Sequence, residues 1–152
     1  MRRFLLFIAS GAYLGYVPVA SGTFGTLAGI PLFWVFDALR ARSLGLYATA
    51  FVILVLASCW LAGKAEAALG EHDSGKIVID EIAGYVAATL WLDFTWANVV
   101  AAFLIFRLFD IVKPFPAGYI DRRFPGGYGI VLDDVVAGLY ANLATRLLFL
   151  LF

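Results

Sequence analysis

Cysteine and histidine are nearly missing from this chain, which has one of each, Cys59 and His72. A single thiol allows no internal disulfide and no cysteine-built metal site, and Cys59, inside the apolar run 52–60, reads as packing material. It also excludes a cysteine-nucleophile phosphatase, which needs an arginine just downstream, because Cys59 is followed by Trp60-Leu61-Ala62-Gly63-Lys64. One histidine excludes the lipid phosphatases that need two, and no Asp-x-Asp-x-Thr nucleophile motif occurs. Net charge is absent as well. Eleven basic residues balance eleven acidic ones, and no basic run exceeds the pairs Arg2-Arg3 and Arg122-Arg123, so nothing here attracts nucleic acid. With no linker-like tract or internal repeat, residues 1–152 read as a single domain.

What the chain has is apolar surface. It is 63% hydrophobic and 14% charged, with mean hydropathy +0.93, where soluble domains average about 45–50% apolar and about 25% charged. A spanning helix needs roughly 20 apolar residues to cross a core about 30 Å thick. The uncharged stretch 43–63 meets that length. The stretch 4–36 is uncharged too, but Pro18, Gly22, Gly25, Gly29 and Pro31 interrupt it, so 17–26 reads as a turn between a short interfacial or re-entrant helix near 4–16 and a spanning helix near 24–39. The basic start before 4–9 resembles a signal peptide, a reading set aside because apolar character continues without a small-residue cleavage site. Stretches 79–92, 96–112 and 130–152 complete the pattern, and no alternating ten-residue segments suggest a barrel. The expected fold is an all-α integral membrane protein, a helical bundle of about five spanning helices. Loops 64–80 and 113–132 then share the side of Arg2 and Arg3, which the positive-inside rule makes cytoplasmic, with Arg40 and Arg42 as a partial violation. Small residues at four-residue spacing, Gly84/Ala88, Ala97/Ala101 and Ala137/Ala141, suit close helix contacts. Trp34, Trp60, Trp91 and Trp96 read as interfacial belt or core.

The charges are grouped, and on this topology they share one side. Asp80-Glu81 open one helix, Arg107, Asp110 and Lys113 lie on one face at the end of the next, and Asp133-Asp134 stand near the start of the last. Neighbouring helical residues point about 100° apart, so one member of each acidic pair is expected to face the site and the other to brace it. Charges at helix ends also snorkel or pair structurally, but so many acids at one side of a bundle exceed that need. Carboxylates that converge in an apolar setting require protons or a cation. All-oxygen donors suit Mg²⁺, which shares its coordination with phosphate oxygens, while Arg107 and Lys113 offer positive charge to a phosphate. The Gly-rich turns Ser21-Gly22-Thr23-Phe24-Gly25-Thr26 and Gly126-Gly127-Tyr128-Gly129 offer backbone N–H groups. His72 reads equally as a base or a loop residue. Metal-assisted attack by water, or an aspartyl-phosphate route, is the chemistry left.

Four segments, SGTFGTLAGIPL (21–32), HDSGKIVIDEIAG (72–84), FRLFDIVKPFP (106–116) and DRRFPGGYGIVLDDVVAG (121–138), resemble the phosphatidylglycerophosphatase A family over nearly the whole chain. The resemblance implies a Mg²⁺-dependent phosphomonoesterase that removes the terminal phosphate of phosphatidylglycerophosphate at the cytoplasmic face of the bacterial inner membrane. Its acidic motif positions fall on Asp73, Asp80, Glu81, Asp110, Asp133 and Asp134, and its basic ones on Arg107 and Lys113. The expected metal ligands are Asp80, Glu81, Asp110, Asp133 and Asp134; His72 and Asp73 are candidate proton carriers; Ser21, Gly22, Thr23, Gly25, Thr26 and Gly127 are candidate substrate contacts. The chain departs from the family pattern at Ser21, where a proline is expected, and at Ser74, where a second histidine is expected. An ion-coupled transporter would place acids mid-membrane within an inverted repeat, and a transferase acting on CDP-activated alcohols would carry a spaced Asp-Gly and Ala-Arg pattern; neither signature is present. An oligomer is compatible with the sequence but not indicated by it.

Overall fold

The computed structural model describes residues 2–71 and 74–151. Among these the chain is helical throughout: α1 (Arg2–Ala9), a 3₁₀ turn (Leu14–Tyr16), α2 (Ser21–Arg42), α3 (Leu44–Leu69), α4 (Ile79–Ala88), α5 (Trp96–Val112), α6 (Ala117–Arg123) and α7 (Gly126–Leu151). Local chemistry sets several ends. Ser43 caps α3 by accepting from the Leu46 N–H, Thr95 caps α5 by accepting from the Asn98 N–H, and Gly70 closes α3 with φ +71°, a left-handed conformation that costs glycine little.

Two of the expected turns are helix. Ser21 begins α2 and Gly126 begins α7, and α2 also runs through Pro31. The glycines that look like punctuation instead let backbones touch. A Cβ on Gly25 would sit 2.7 Å from Val78 Cβ, one on Gly29 2.8 Å from Tyr85, and one on Gly127 1.9 Å from the Cys59 carbonyl oxygen. Likewise α3 continues to Leu69 and α6 occupies part of 113–132, both read beforehand as loops. Gly84, Ala88, Ala137 and Ala141 are buried where α4 meets α7, as the spacing suggests, whereas Ala97 is exposed and Ala101 half-buried.

At the centre stands α4, which packs most extensively on α7 and α2. It is buried at every position except the half-buried Glu81. Tyr85 is fully buried against Phe33, Phe103 and Phe106, and its hydroxyl donates to the Val99 carbonyl at 3.1 Å. Ten residues of helix rise only about 15 Å. The freed carbonyls at its end find donors on α7: Asn142 Nδ2 reaches the Ala88 and Leu90 oxygens at 2.9 and 2.8 Å, and Arg146 Nη2 reaches Leu90 O at 2.8 Å. Without water nearby those groups would be costly.

The outer surface is apolar. Val100, Leu104 and Leu108 on α5, and Leu139, Leu143 and Leu147 on α7, repeat at four-residue spacing and are all exposed. All four tryptophans are exposed as well. Water would penalise such stripes, and lipid accepts them. Among the described residues three helices, α2, α3 and α7, are long and apolar enough to cross a membrane, against the five spans expected; α5 has 17 residues and α4 only 10. The starts of α2, α4 and α7 and the ends of α3 and α5 gather at one end of the bundle, around the cavity described next. At the other end Arg40 pairs with Asp37 at 2.8 Å and with Asp93, so the arginine counted against the charge rule belongs to a local ion-pair cluster.

Candidate active site

Four helices contribute to a cavity of about 350 Å³. From the start of α2 come Ser21 and Gly22, preceded by Ala20 in the left-handed region at φ +54°. As the first residues of a long helix, their N–H groups lack intrahelical acceptors and carry its positive dipole end. The start of α4 adds Asp80 and Glu81, the end of α5 adds Arg107, Asp110 and Lys113, and α7 adds Asp134. Ser74 and Gly75 close the rim.

The two acidic pairs behave differently. Asp134 turns into the cavity while Asp133, nearly fully buried, accepts from Lys113 Nζ at 2.6 Å, which is the division the helical angle predicts. At the mouth of α4 both Asp80 and Glu81 line the cavity, because the first turn of that helix points end-on into it. One carboxylate oxygen each from Asp80, Glu81 and Asp134 lies within 4.8 Å of the others. Glu81 Oε2 is buried with no hydrogen-bond partner. Such a set of oxygens, with one acceptor left over, fits a hard divalent cation.

Positive charge is held beside these acids. Arg107 Nη1 donates to Asp110 Oδ2 in a mostly buried pair, and its Nε is buried without an acceptor. Lys113 caps α5 in the left-handed region at φ +46°, a conformation that costs a non-glycine residue about 1 kcal/mol or more. Its ammonium lies 3.1 Å from Asp121 Oδ1 as well as bonding Asp133. Burial works to lower the Lys113 pKa, and the two carboxylates outweigh it and hold the group above the usual lysine range. Among the described residues four carboxylates thus line the cavity against Arg107 and an already engaged Lys113, an excess of negative charge that protons or a cation must offset.

At Gly22 the backbone of α2 passes close to these groups. A Cβ there would lie 2.3 Å from Glu81 Oε1 and 2.9 Å from Arg107 Nη1.

The remaining sequence candidates fall elsewhere. Gly25 faces Val78, Thr26 Oγ1 donates to the Gly22 carbonyl at 2.8 Å within its own helix, and half-buried Thr23 is not part of the lining. Gly127 packs on α3 at Cys59 and Gly63, away from the cavity. His72 and Asp73 lie outside the described residues. Sequence reasoning passed over Asp121, although it opens the segment 121–138 that holds Asp133-Asp134, and over the capping pair Asn142 and Arg146, which no local motif announces.

Comparison with known proteins adds the following. The family profile described as Phosphatidylglycerophosphatase A matches residues 7–149. A phosphatidylglycerophosphatase A of Haemophilus influenzae is 39% identical over 135 residues, covering 88% of this chain and 82% of that protein. One of Escherichia coli is 35% identical over 133 residues, 87% of this chain and 76% of the relative. A Bacteroides thetaiotaomicron protein named putative phosphatidylinositol-3-phosphatase is 36% identical over 139 residues, 88% and 86% of the respective lengths. No solved structure matches the chain.

Proposed function

The chain belongs to the phosphatidylglycerophosphatase A family, and from that premise we propose that it hydrolyses the terminal phosphate of phosphatidylglycerophosphate, with Mg²⁺, at the cytoplasmic face of a bacterial inner membrane. The observation that carries the chemistry is the meeting of Asp80, Glu81 and Asp134 within 4.8 Å beside Arg107. Phosphoryl transfer needs positioning and charge neutralisation more than covalent help, and this cavity offers both signs of charge.

Asp80, Glu81 and Asp134 would hold the Mg²⁺, with Asp110 alongside. When bound, the ion neutralises phosphate charge and makes phosphorus more electrophilic. The Arg107 guanidinium, oriented by Asp110, binds the terminal phosphate oxygens and stabilises the charge that builds on them. The Ser21 and Gly22 N–H groups at the head of α2 add donors for the same anion. Lys113, held between Asp133 and Asp121, supplies a fixed positive charge at the rim. Water attacks phosphorus, the bond from phosphorus to the glycerol oxygen breaks, and a proton passes to that oxygen, leaving phosphatidylglycerol and inorganic phosphate. His72 and Asp73, just before the cavity-lining Ser74 in the chain, are the proposed proton carriers.

Support for the cytoplasmic side comes from the basic residues at the cavity end. Arg2 Nη2 bonds the Ala68 carbonyl at 2.5 Å, tying α1 to the end of α3, so Arg2 and Arg3 join Lys64, Lys76, Arg122 and Arg123 there.

The test is phosphate release from phosphatidylglycerophosphate by purified full-length protein, in Mg²⁺ or in EDTA, with Asp134→Asn as the variant. A fall of more than about 100-fold is expected in EDTA and in the variant. Undiminished rates in both would remove the metal reading. Faster turnover of phosphatidylinositol 3-phosphate would assign the chain the substrate named for its Bacteroides relative.

A further inference from the structure

The cavity does not stand alone. A second one of about 310 Å³ adjoins it, sharing Ser21, Ser74 and Gly75, and a third of about 520 Å³ adjoins the second through Tyr16. The chemistry changes along this line, from carboxylates and Arg107, to Lys76 with Glu71 beside it, to Leu6, Tyr13 and Arg3 beside α1. On the reading that the substrate is phosphatidylglycerophosphate, its own order is the same: a terminal phosphate, a glycerol, a bridging phosphodiester, then a diacyl body.

We propose that Lys76 is the specificity-determining residue for the bridging phosphodiester, so that one lipid molecule lies across all three cavities. The middle cavity is built firmly. The Val78 N–H bonds the Ala9 carbonyl at 2.9 Å and the Ile77 N–H bonds the Ser74 carbonyl at 2.8 Å. Gly15 lies so close to the Lys76 backbone that a Cβ there would meet Lys76 O at 2.2 Å. The Lys76 ammonium is weakly engaged by comparison. Its side chain is 47% exposed, and its ion-pair partner, Glu71 Oε2, is 4.0 Å away and already accepts from Ser74 Oγ at 2.7 Å. Arg107 and Lys113 are bound at shorter range by carboxylates, which leaves Lys76 the cation of the three most available to a second anion. Tyr13 and Tyr16, which line the far end of the line, are exposed, and exposed Phe7 packs edge-on against Tyr13, an aromatic surface of the kind that meets a lipid body at the bilayer interface.

The experiment is a KM and kcat measurement on full-length protein in mixed micelles of phosphatidylglycerophosphate, with product inhibition by inorganic phosphate and by phosphatidylglycerol. Lys76→Ala should raise KM about tenfold, the scale of one charge-assisted hydrogen bond, with kcat held and phosphate inhibition unchanged. Phosphatidylglycerol, which keeps the diester, should inhibit the variant less than the wild type. Lys76→Arg should recover KM, and Lys64→Ala, which faces a different cavity, should match wild type. An unchanged KM, or a joint shift in KM and phosphate inhibition, overturns the subsite while leaving the phosphatase reading intact. No hydrolysis of this lipid by the wild type overturns both.

Discussion

Replacing Gly22 by alanine separates the chemistry of the site from the stability of the bundle. The new methyl would stand 2.3 Å from Glu81 Oε1 and within 3.0 Å of both terminal Arg107 nitrogens. Ordinary contact begins at 3.4 Å, so the Glu81 carboxylate must withdraw by about 1 Å. Both obstacles are ends of flexible side chains. The helices therefore need not part, and alanine in a helix gains up to about 1 kcal/mol over glycine. The melting temperature in detergent should hold or rise. Catalysis should not, because about 1 Å of misplacement in a reacting constellation costs on the order of 100-fold. Gly127→Ala is the counterpart: its methyl would strike the Cys59 carbonyl oxygen at 1.9 Å, backbone against backbone, and it should lower the melting temperature. Phosphate release and thermal denaturation on the same preparations distinguish the two. Gly22→Ala with wild-type turnover, or with a melting loss like that of Gly127→Ala, would refute this account of the site.

Two further substitutions probe how the site is held. Asn142→Ala strips a donor from both the Ala88 and Leu90 carbonyls and should cost about 1–3 kcal/mol, read as a lower denaturation midpoint, with a smaller effect for Asn142→Gln. Lys113→Met leaves Asp133, 2% exposed at its side chain, as an unpaired buried carboxylate, so a loss of about 3 kcal/mol is expected. Adding Asp133→Asn to Lys113→Met should return part of that stability, and a double variant no more stable than Lys113→Met alone would show that the pair does not brace this end of α5.

Much of this molecule can be read in its residues, and what escapes has physical causes. The apolar stretches announce the helices, and the Arg107, Asp110, Lys113 spacing already places three cavity residues on one face. The 100° step between Asp133 and Asp134 foretells that only one of them turns inward, without saying which. The same step fails at Asp80 and Glu81, because a helix that begins at the cavity presents its first turn end-on. Glycine misleads for a related reason. In water it marks turns, but in a tightly packed bundle Gly22, Gly25, Gly29 and Gly127 mark helix surfaces that must be bare for another element to lie against them. Span counting meets its limit at α4, whose apolar run continues as a turn through Leu92 that supports no further helix. The capping of that end by Asn142 and Arg146 depends on residues more than 50 positions away in the chain.

The enclosure of α4 also bears on how such a chain drifts over generations. Along α3, Val52, Ile53, Leu56 and Trp60 look outward, and any residue soluble in hydrocarbon serves there, so identities can wander freely under one broad requirement. On α4 each position is touched from some side, every exchange must suit a particular neighbour, and change has to come in compensating pairs. The shortest of the central helices should therefore be the slowest clock in the molecule, and the outward face of α3 among the fastest.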